Sequence, residues 1–430
     1  MTYHIIVIGC QMNIADSERL AAYLESNGYT AVSDENRADV VVITTCGVRQ
    51  SAEDRVYGIV NQIKKKNKKS IVVITGCLSE RKDVKRRLEG KVDIWLPTVK
   101  MTTLLAQIKK CRGAADVTVN PCEYLKIAPK YQSTFTAYVP IGNGCNNFCS
   151  YCVVPYARGR EVYRASGEII KEVKDLLRRG FREINLIAQN VNSYKSGAVD
   201  FPKLLQKVND LPGEFWLRFS SSHPKDMSGE LIKAMSKCDK LCEHVHLAVQ
   251  SGDDDILAAM NRKYTAKHYQ GLIIKIRKAL DKRLAVPAAI TTDVIVGFPG
   301  ESQKQFKNTL KLFREVKFDL AYIAKYSPRY GTVSSKMLDD VPRLDKKARE
   351  QELNAVLKKT ALQNNKKYIN KVVDVLIEGR NRHGELYGKT RTYKFVTSVD
   401  LKNSSDDFVG KIVKVKIKKV KDFGLEGDLV

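Results

Sequence analysis

The sequence Gly144-Cys145-Asn146-Asn147-Phe148-Cys149-Ser150-Tyr151-Cys152 places three cysteines in one short loop, at spacings of four and three residues. The loop follows an apolar stretch that is predicted to be a strand. Three thiolates can hold three irons of a [4Fe–4S] cluster and leave the fourth iron open for another ligand. Zinc is the competing metal, but structural zinc sites are closed by four ligands, and no second cysteine pair lies nearby in the sequence. The spacing therefore favours an open iron–sulfur cluster.

From Phe135 onward, short apolar runs alternate with helical segments, and the cysteine loop follows the first of these runs. Six runs are predicted to be strands: Thr136–Ile141, Glu183–Ile187, Trp216–Phe219, His244–Ala248, Ile290–Val296 and Ala321–Tyr326. Helices fit between them, and a charged helix near Leu344–Lys367 ends the series. Strands that alternate with helices form parallel sheets, so this series predicts a complete or partial (β/α) barrel.

The N-terminal part shows the same alternation. Its apolar runs are Ile5–Ile8, Val40–Ile43 and Ile71–Ile74. These runs and the helical segments between them predict a parallel α/β sheet. The first helix is expected over Asp16–Asn27, with Asp16 or Ser17 as its N-terminal cap and Gly28 as its stop.

Cys10, Cys46 and Cys77 each follow one of these apolar runs. In an open α/β sheet the carboxyl ends of parallel strands form the binding crevice, so the three loops can converge on one point. Free cysteine is commonly buried, and three structural cysteines are the alternative. Three cysteines at equivalent strand ends nevertheless favour a second cluster. The remaining cysteines lack such placement and are interpreted as incidental thiols: Cys111, Cys122, Cys238 and Cys242.

The last part of the chain differs in composition. The stretch from Cys111 to Ser133 has weak periodicity and is interpreted as a linker. From Tyr368, short apolar segments separated by glycines predict a small all-β barrel. Within it, Gly388–Lys394 interleaves basic and aromatic residues, which suits phosphate contacts and stacking on an unpaired RNA base. Further lysines at alternating strand positions point to one face: Lys411, Lys414, Lys416, Lys418, Lys419 and Lys421.

The chain of 430 residues is strongly basic, since 74 lysines and arginines against 48 aspartates and glutamates give a formal net charge of +26 at pH 7. Such an excess favours polyanionic partners, nucleic acid first and anionic membrane second. No apolar run reaches the roughly 18 residues of a membrane span. Met1–Ile8 predicts a buried strand rather than a signal peptide. We therefore expect a cytoplasmic protein that does not enter membranes.

The Cys-x3-Cys-x2-Cys spacing, with Tyr151 before the last cysteine, resembles the signature of the radical S-adenosylmethionine (SAM) superfamily. Two three-cysteine sites in this order resemble the methylthiotransferases, over essentially the whole chain. The matching motifs include Gly9–Asn13, Thr45–Arg49, Gly76–Arg81, Tyr151–Glu161, Arg218–Pro224, His246–Gly252, Met260–Arg262, Thr292–Glu301 and Tyr326–Arg329. The resemblance implies an α/β N-terminal methylthiotransferase domain at 1–115, a partial (β/α) radical SAM barrel at 131–365 and a small all-β TRAM barrel at 366–430.

The resemblance also implies two [4Fe–4S] clusters and SAM as cofactors. The cluster that cleaves SAM to a 5′-deoxyadenosyl radical would be held by Cys145, Cys149 and Cys152. An auxiliary cluster that supplies sulfur, methylated by a second SAM, would be held by Cys10, Cys46 and Cys77. Contacts to SAM are expected at Tyr151, Gln189, Ser220, Gln250 and Ile295. Plain strand core is the alternative for Ile295.

Within the family, Gly9–Asn13 and Val154-Pro155-Tyr156 look most like the branch that converts N6-isopentenyladenosine at tRNA position 37 into its 2-methylthio derivative. The expected partners are the tRNA anticodon loop, an electron donor such as flavodoxin or ferredoxin, and a sulfur source or iron–sulfur assembly protein. Methylthiolation of threonylcarbamoyladenosine in tRNA, or of a ribosomal-protein aspartate, is the alternative within the family. A non-catalytic RNA-binding protein with structural metal is the more distant alternative.

Overall fold

The computed structural model describes residues 1–47, 49–113, 124–281, 283–398 and 407–430, and its N-terminal part is built around a parallel sheet. The elements of this part are β1 (Thr2–Ile8), α1 (Gln11–Ser26), β2 (Thr30–Ala31), β3 (Val40–Thr45), α2 (Gln50–Lys66), β4 (Ile71–Gly76), α3 (Lys82–Arg87), β5 (Ile94–Leu96) and α4 (Leu104–Cys111). The strands lie in the order β2-β1-β3-β4-β5. Val40 and Val42 face one core and Val41 and Ile43 the other, since successive side chains of a strand point to opposite faces. The predicted α/β sheet is confirmed.

The first helix begins earlier than predicted. The side-chain oxygen of Asn13 accepts a hydrogen bond from the backbone N–H of Cys10 at 3.2 Å, which places the start of α1 directly after Cys10. Asp16 is buried inside the helix and pairs with Arg158 at 2.7 Å. The expected cap at Asp16 or Ser17 is therefore wrong, because the Asp16 carboxylate is used in a contact that is distant in the sequence. Gly28, with φ of +82°, follows the helix end as expected.

The central part contains six parallel strands that form an open barrel. Its elements are β6 (Thr136–Pro140), β7 (Gly142–Asn143), α5 (Val154–Arg158), β8 (Val162–Tyr163), α6 (Ser166–Arg178), β9 (Glu183–Ile187), β10 (Lys195–Ser196), β11 (Val199–Asp200), α7 (Phe201–Asn209), β12 (Trp216–Ser220), α8 (Gly229–Lys237), β13 (His244–His246), α9 (Asp254–Ala259), α10 (Ala266–Leu280), β14 (Ala289–Val296), α11 (Gln303–Val316), β15 (Leu320–Lys325) and α12 (Arg343–Lys366). The sheets β12-β9-β6 and β13-β14-β15 are joined by parallel bridges from Leu217 to Leu241 and from Ser222 to Leu247. All six predicted barrel strands are present.

The longest helix, α12, packs across the end of this barrel. Leu353 and Leu357 are buried in the barrel core. Neither α12 nor any other described helix has the length and apolar character needed to cross a lipid bilayer.

The C-terminal part is a closed barrel, as predicted. Its strands are β16 (Val372–Arg380), β17 (Leu386–Thr390), β18 (Phe395–Ser398), β19 (Ile412–Lys421) and β20 (Gly424–Leu429). They close in the order β16-β17-β18-β20-β19. The apolar segments Val372–Ile377, Val396–Val399 and Ile412–Ile417 predict β16, β18 and β19. The sequence does not predict β17 and β20, because each strand turns few apolar side chains inward, such as Leu386 and Leu425, and so lacks an apolar run.

The stretch interpreted as a linker is packed where it is described. Residues 114–123, including Cys122, lie outside the described residues. Tyr124 and Leu125 are buried in the N-terminal core together with Leu104 and Ile108. The hydroxyl of Tyr131 donates to Glu172 on α6 of the barrel. The segment therefore ties the N-terminal part to the barrel, and the domain limits 1–115, 131–365 and 366–430 remain predictions.

Candidate metal centres at the strand ends

The three N-terminal cysteines follow adjacent strands of one sheet. In the register of β1, β3 and β4, Ile8 lies opposite Thr45, and Thr45 lies opposite Gly76. Cys10, Cys46 and Cys77 come one or two residues after these positions. The parallel ladder therefore brings them to one edge of the sheet, as the sequence predicts. We call these residues the N-terminal triad.

Backbone and amide contacts fix this edge. The N–H of Cys77 donates to the carbonyl of Thr45 at 3.0 Å. The amide of Asn13 donates to the same carbonyl at 3.1 Å while its oxygen holds the Cys10 N–H. Gly76 has φ of +87°, and a Cβ there would lie 2.5 Å from the Thr45 oxygen. The turn before Cys77 thus requires glycine.

The second set of cysteines lies in the loop after β6, at the carboxyl end of the barrel strands. We call Cys145, Cys149 and Cys152 the loop triad. The side-chain oxygen of Gln189 accepts from the N–H of Gly144 at 2.6 Å, and the N–H of Cys145 donates to Gly159 at 3.2 Å. These bonds anchor the start of the loop to the end of β9 and to the turn after α5.

Arg262 is a buried cation beside the loop triad. Its Nη1 lies 3.4 Å from the sulfur of Cys149, and its Nη2 donates to the carbonyl of Ala248 at 2.6 Å. Its Nε donates to the hydroxyl of Tyr264 at 2.8 Å. Arg262 was part of a recognised motif but had no predicted role, because its position before Lys263 makes it look like surface charge.

The two triads lie close to each other across the boundary between the N-terminal part and the barrel. A Cβ added at Gly47, the residue after Cys46, would meet the Cβ of Cys77 and the Cγ2 of Val153 at 3.0 Å each. Val153 directly follows Cys152. Burial, and then the neighbouring Cys149, raise the pKa of Cys152, and the charge of Cys77 adds to this shift. The cysteines of the two triads are therefore within electrostatic reach of one another.

The residues of both triads suit iron–sulfur clusters. Within the described residues none of the six cysteines forms a disulfide, and Cys46, Cys77 and Cys149 are buried. Within the described residues, no three His, Cys, Asp or Glu side chains are gathered tightly enough to hold a single metal ion. Thiolates of a [4Fe–4S] cluster each bind a different iron and so stand farther apart than ligands that share one zinc. Burial raises the pKa of the Cys145 and Cys152 thiols, and coordination by a metal deprotonates a thiol outright.

The predicted SAM-contact residues all lie at the carboxyl ends of barrel strands or, for Tyr151, in the loop that carries the loop triad. Tyr151 and Ile295 pack against one small cluster formed by Ile256, Met260, Phe298 and Tyr326. Gln250 has φ of +70°, and its carbonyl accepts from the N–H of Ile295 at 3.0 Å. Three of the five predicted positions are thus brought together.

The other two predicted SAM-contact residues are placed differently. The Gln189 side chain is already engaged with the backbone of Gly144. Ser220 ends β12, opposite Ile187, and is half-buried. Gln189 therefore acts on the cysteine loop, a role that its sequence position did not indicate.

Polar side chains of β13, β14 and β15 line part of the barrel interior. His246 contacts the Thr291 hydroxyl at 3.0 Å through Nδ1 and the Asp293 carboxylate at 3.1 Å through Nε2. Tyr322 lies on the neighbouring strand, and the guanidinium of Arg49 stands 5.3 Å from the centre of its ring. The interior can therefore donate and accept hydrogen bonds toward a planar ligand.

The segment Gly388–Lys394 contacts the opposite end of the barrel. The ring of Tyr393 stacks on His244 at 4.8 Å, and Arg391 pairs with Glu243 at 2.9 Å. Lys394 pairs with Asp319 at 2.6 Å. Arg391 and Lys394 thus neutralise buried carboxylates of the barrel and are not exposed for the predicted phosphate contacts, while RNA binding by the rest of the segment stays a prediction.

Comparisons with known proteins agree with this architecture. The chain matches the profiles of uncharacterized protein family UPF0004 at residues 2–97, of the radical SAM superfamily at 139–313 and of the TRAM domain at 366–430. The tRNA-2-methylthio-N(6)-dimethylallyladenosine synthase of Clostridium novyi is 40% identical, over all of this chain and 96% of that protein. The protein of the same name from Clostridium tetani is 41% identical, with the same coverage. The chain belongs to the radical SAM methylthiotransferase family.

Solved structures support the fold of this methylthiotransferase. The radical SAM methyltransferase TsrM from Kitasatospora setae, with cobalamin and a [4Fe–4S] cluster bound, aligns with a TM-score of 0.59 over 78% of this chain and 74% of that chain. The two sequences are only 12% identical, so the likeness concerns the fold alone. Family membership implies SAM and iron–sulfur clusters as cofactors of the methylthiotransferase.

Proposed function

We propose that this enzyme adds a methylthio group to C2 of N6-isopentenyladenosine (N6-dimethylallyladenosine) at position 37 of tRNA. The observation that carries the proposal is the closeness of the two cysteine triads, since a Cβ added at Gly47, next to Cys46, would meet both Cys77 and Val153, the residue after Cys152. Full-length relatives named for this reaction support the choice of substrate.

Each triad would hold one [4Fe–4S] cluster. The N-terminal triad would hold the auxiliary cluster, and the loop triad would hold the cluster with an open iron for SAM. When bound, these groups supply reductive SAM cleavage and the transferred methylthio group. The protein then has to set the distance between them, exclude water and present the base.

The residues around the loop triad would position SAM. Tyr151 and Ile295 offer an apolar surface, and the carbonyl and N–H groups around Gln250 are fixed by the left-handed turn. Gln189 would act indirectly by holding Gly144. Arg262 would donate a hydrogen bond to the Cys149 sulfur, which is a recognised influence on cluster potential.

The adenine would leave its stack to reach this centre. Enzymes that act on a base inside RNA or DNA extrude it into a pocket and bind its edge by hydrogen bonds and its face by stacking. The Asp293 carboxylate offers a hydrogen-bond acceptor and is held in place by His246, and Tyr322 offers a ring. Asp293 and Tyr322 are our proposed contacts to the base, and His246 is a positioning residue.

The tRNA stem would lie on the lysine-bearing face of the C-terminal barrel. Lys414, Lys416 and Lys418 are exposed on β19, while Val415 and Ile417 between them are buried. Such a row of cations suits a phosphate backbone. We further propose a cytoplasmic location, an electron donor such as flavodoxin or ferredoxin, and a sulfur source or iron–sulfur assembly protein as partners.

The test is nucleoside mass spectrometry. Anaerobically reconstituted enzyme is incubated with SAM, a reductant and tRNA that carries N6-isopentenyladenosine, and the 2-methylthio product is expected. The same tRNA without the isopentenyl group is the substrate control, and Cys145→Ala is the enzyme control. Formation of 5′-deoxyadenosine without the product would overturn the substrate assignment and favour threonylcarbamoyladenosine or a protein. Absence of both, with iron content verified, would overturn the catalytic assignment.

A further inference from the structure

A buried ion pair lies between the two triads. Asp16 and Arg158 come from the N-terminal part and the barrel, and their charged atoms are 2.7 Å apart. Each side chain is only 2% exposed. An isolated buried pair of this kind contributes little net stability, since removing two charges from water offsets their attraction. Its location between the triads calls for another explanation.

Each member of the pair is attached to one triad by a short stretch of backbone. Asp16 lies in α1, which begins directly after Cys10. Arg158 ends α5, which begins two residues after Cys152, and the next residue, Gly159, accepts the N–H of Cys145. A movement of either side chain is therefore transmitted through the backbone to a loop that carries cysteines of a triad.

The guanidinium is held in a fixed orientation. Its Nη1 donates to the side-chain oxygen of Asn143 at 3.1 Å, and the Asn143 amide donates back to the carbonyl of Arg158 at 3.0 Å. The second carboxylate oxygen of Asp16 is buried and has no hydrogen-bond partner within the described residues. The arrangement leaves a fixed cation beside an incompletely satisfied carboxylate.

The interface does not depend on this pair alone. Arg19 of the N-terminal part pairs with Glu172 of the barrel at 3.3 Å, and Arg329 of the barrel donates to Gln50 at 2.6 Å. Among the described cross-domain pairs, only Asp16–Arg158 joins α1, which follows Cys10, to α5, which follows Cys152. Electrostatic interactions of Arg158 with Cys10 and Cys77 support its closeness to the N-terminal triad.

We propose that Asp16 and Arg158 are positioning residues that set the reduction potentials of both clusters. The inference rests on the proposed two-cluster site. A cluster gains negative charge on reduction, so a nearby fixed cation favours its reduced form and a nearby carboxylate disfavours it. One ion pair thus couples the electrostatics of the sulfur-donating centre and the SAM centre.

The test uses opposite charge changes in the full-length, anaerobically reconstituted enzyme. Arg158→Gln removes the cation, and Asp16→Asn removes the carboxylate. In redox titrations monitored by electron paramagnetic resonance, Arg158→Gln should lower the midpoint potentials of both clusters, and Asp16→Asn should raise them. The double variant should return both potentials toward wild type, because it removes the two charges together.

Two further variants distinguish an effect of charge on the reduction potentials from an effect of disturbed folding. Arg158→Lys keeps the cation and should leave both potentials near wild type even if the domain contact loosens. Arg19→Gln breaks another cross-domain pair, which lies farther along α1 from Cys10 and is not attached to the loop triad, and it should shift neither potential.

Shifts of the same sign in Arg158→Gln and Asp16→Asn, or unchanged potentials, would overturn the electrostatic role. If Arg158→Gln fails to hold iron, the comparison of Asp16→Asn with the double variant still decides the sign. A wild-type enzyme with two cluster signals but no response to these variants would overturn only this inference. A wild-type enzyme with a single cluster signal would overturn the two-cluster proposal itself.

Discussion

Each triad brings three cysteines together, but the two triads do so by different means. The loop triad spans residues 145–152 and depends on one turn, whereas the N-terminal triad spans residues 10–77 and depends on the register of three strands. Spacing in the sequence defines the first site directly. Only the parallel sheet defines the second, because its cysteines meet when β1, β3 and β4 pair. Damage to one site should therefore leave the other intact.

The largest expected effect separates the functions of the triads. Cys145→Ala should abolish both 5′-deoxyadenosine formation and methylthiolation, because the loop triad would hold the SAM-cleaving cluster. Cys46→Ala should abolish methylthiolation but keep 5′-deoxyadenosine formation within a few-fold of wild type. Both products are measured by mass spectrometry under anaerobic conditions. Cys111→Ser, at an exposed cysteine of α4, is the matched control and should change neither product. Loss of both products in Cys46→Ala would mean that the sites are not separable.

A second change acts on the loop triad through its backbone. Gly144 has φ of +84°, and a Cβ there would overlap the carbonyl oxygen of Arg160. The left-handed conformation alone costs an alanine about 1–2 kcal/mol. Gly144→Ala should lose the iron of the loop triad, so that iron per chain falls by about half in a protein with two such clusters. Iron analysis measures the loss of the cluster, and unfolding followed by circular dichroism measures the loss of stability.

Gly180→Ala is the matched control for Gly144→Ala. Gly180 has φ of +87°, but a Cβ there would meet nothing within 4 Å. This variant should lose about 1–2 kcal/mol of stability and no iron. Equal iron loss in both variants would show that strain, rather than the collision beside Cys145, is responsible.

The sequence predicted the strands of the barrel because each carries an apolar run bounded by turns. It also predicted where the triads lie, because strand ends are visible as the points where apolar runs stop. The sequence could not predict the ion pair between Asp16 and Arg158. These residues are 142 positions apart, and a charged residue in a sequence is normally assigned to the protein surface. For the same reason the basic segment around Arg391 resembled an RNA contact, although it faces the buried Glu243.

A third change tests whether the N-terminal triad depends on hydrogen bonds between segments that are far apart in the sequence. Asn13→Ala removes the two hydrogen bonds that join the Cys10 turn to the end of β3. Loss of a residue that orients metal ligands commonly weakens a site by about 10–100-fold. We expect faster loss of iron from the N-terminal triad under a chelator, with the loop triad unchanged. Asn27→Ala, at the exposed end of α1, should release iron at the wild-type rate.

A fourth change sharpens the comparison between the two basic regions of the C-terminal barrel. Arg391→Ala removes the bonds to Glu243, although Arg283 still contacts that carboxylate at 3.3 Å. A lost charged hydrogen bond with a buried partner corresponds to about 1–3 kcal/mol. The free energy of unfolding in urea should fall by this amount. Arg391→Lys keeps the charge but cannot form the bidentate hydrogen bonds to Glu243, so the free energy of unfolding should fall by less than in Arg391→Ala. An unchanged free energy, together with weakened tRNA binding, would restore the RNA interpretation of this segment.

The smallest expected effect concerns the exposed face of β19. Lys416 lies between the buried side chains of Val415 and Ile417, so it points outward from the barrel. Lys416→Ala should change stability by less than about 0.5 kcal/mol. If Lys416 contacts a phosphate, the slope of log K against log salt for tRNA binding should flatten by about one. Lys174→Ala, on the exposed face of α6, should leave the slope unchanged. Equal slopes for the two variants would mean that the tRNA does not contact this face of β19. A flatter slope for Lys416→Ala alone would show that the lysines of β19 bind RNA, whereas Arg391 binds the radical SAM barrel.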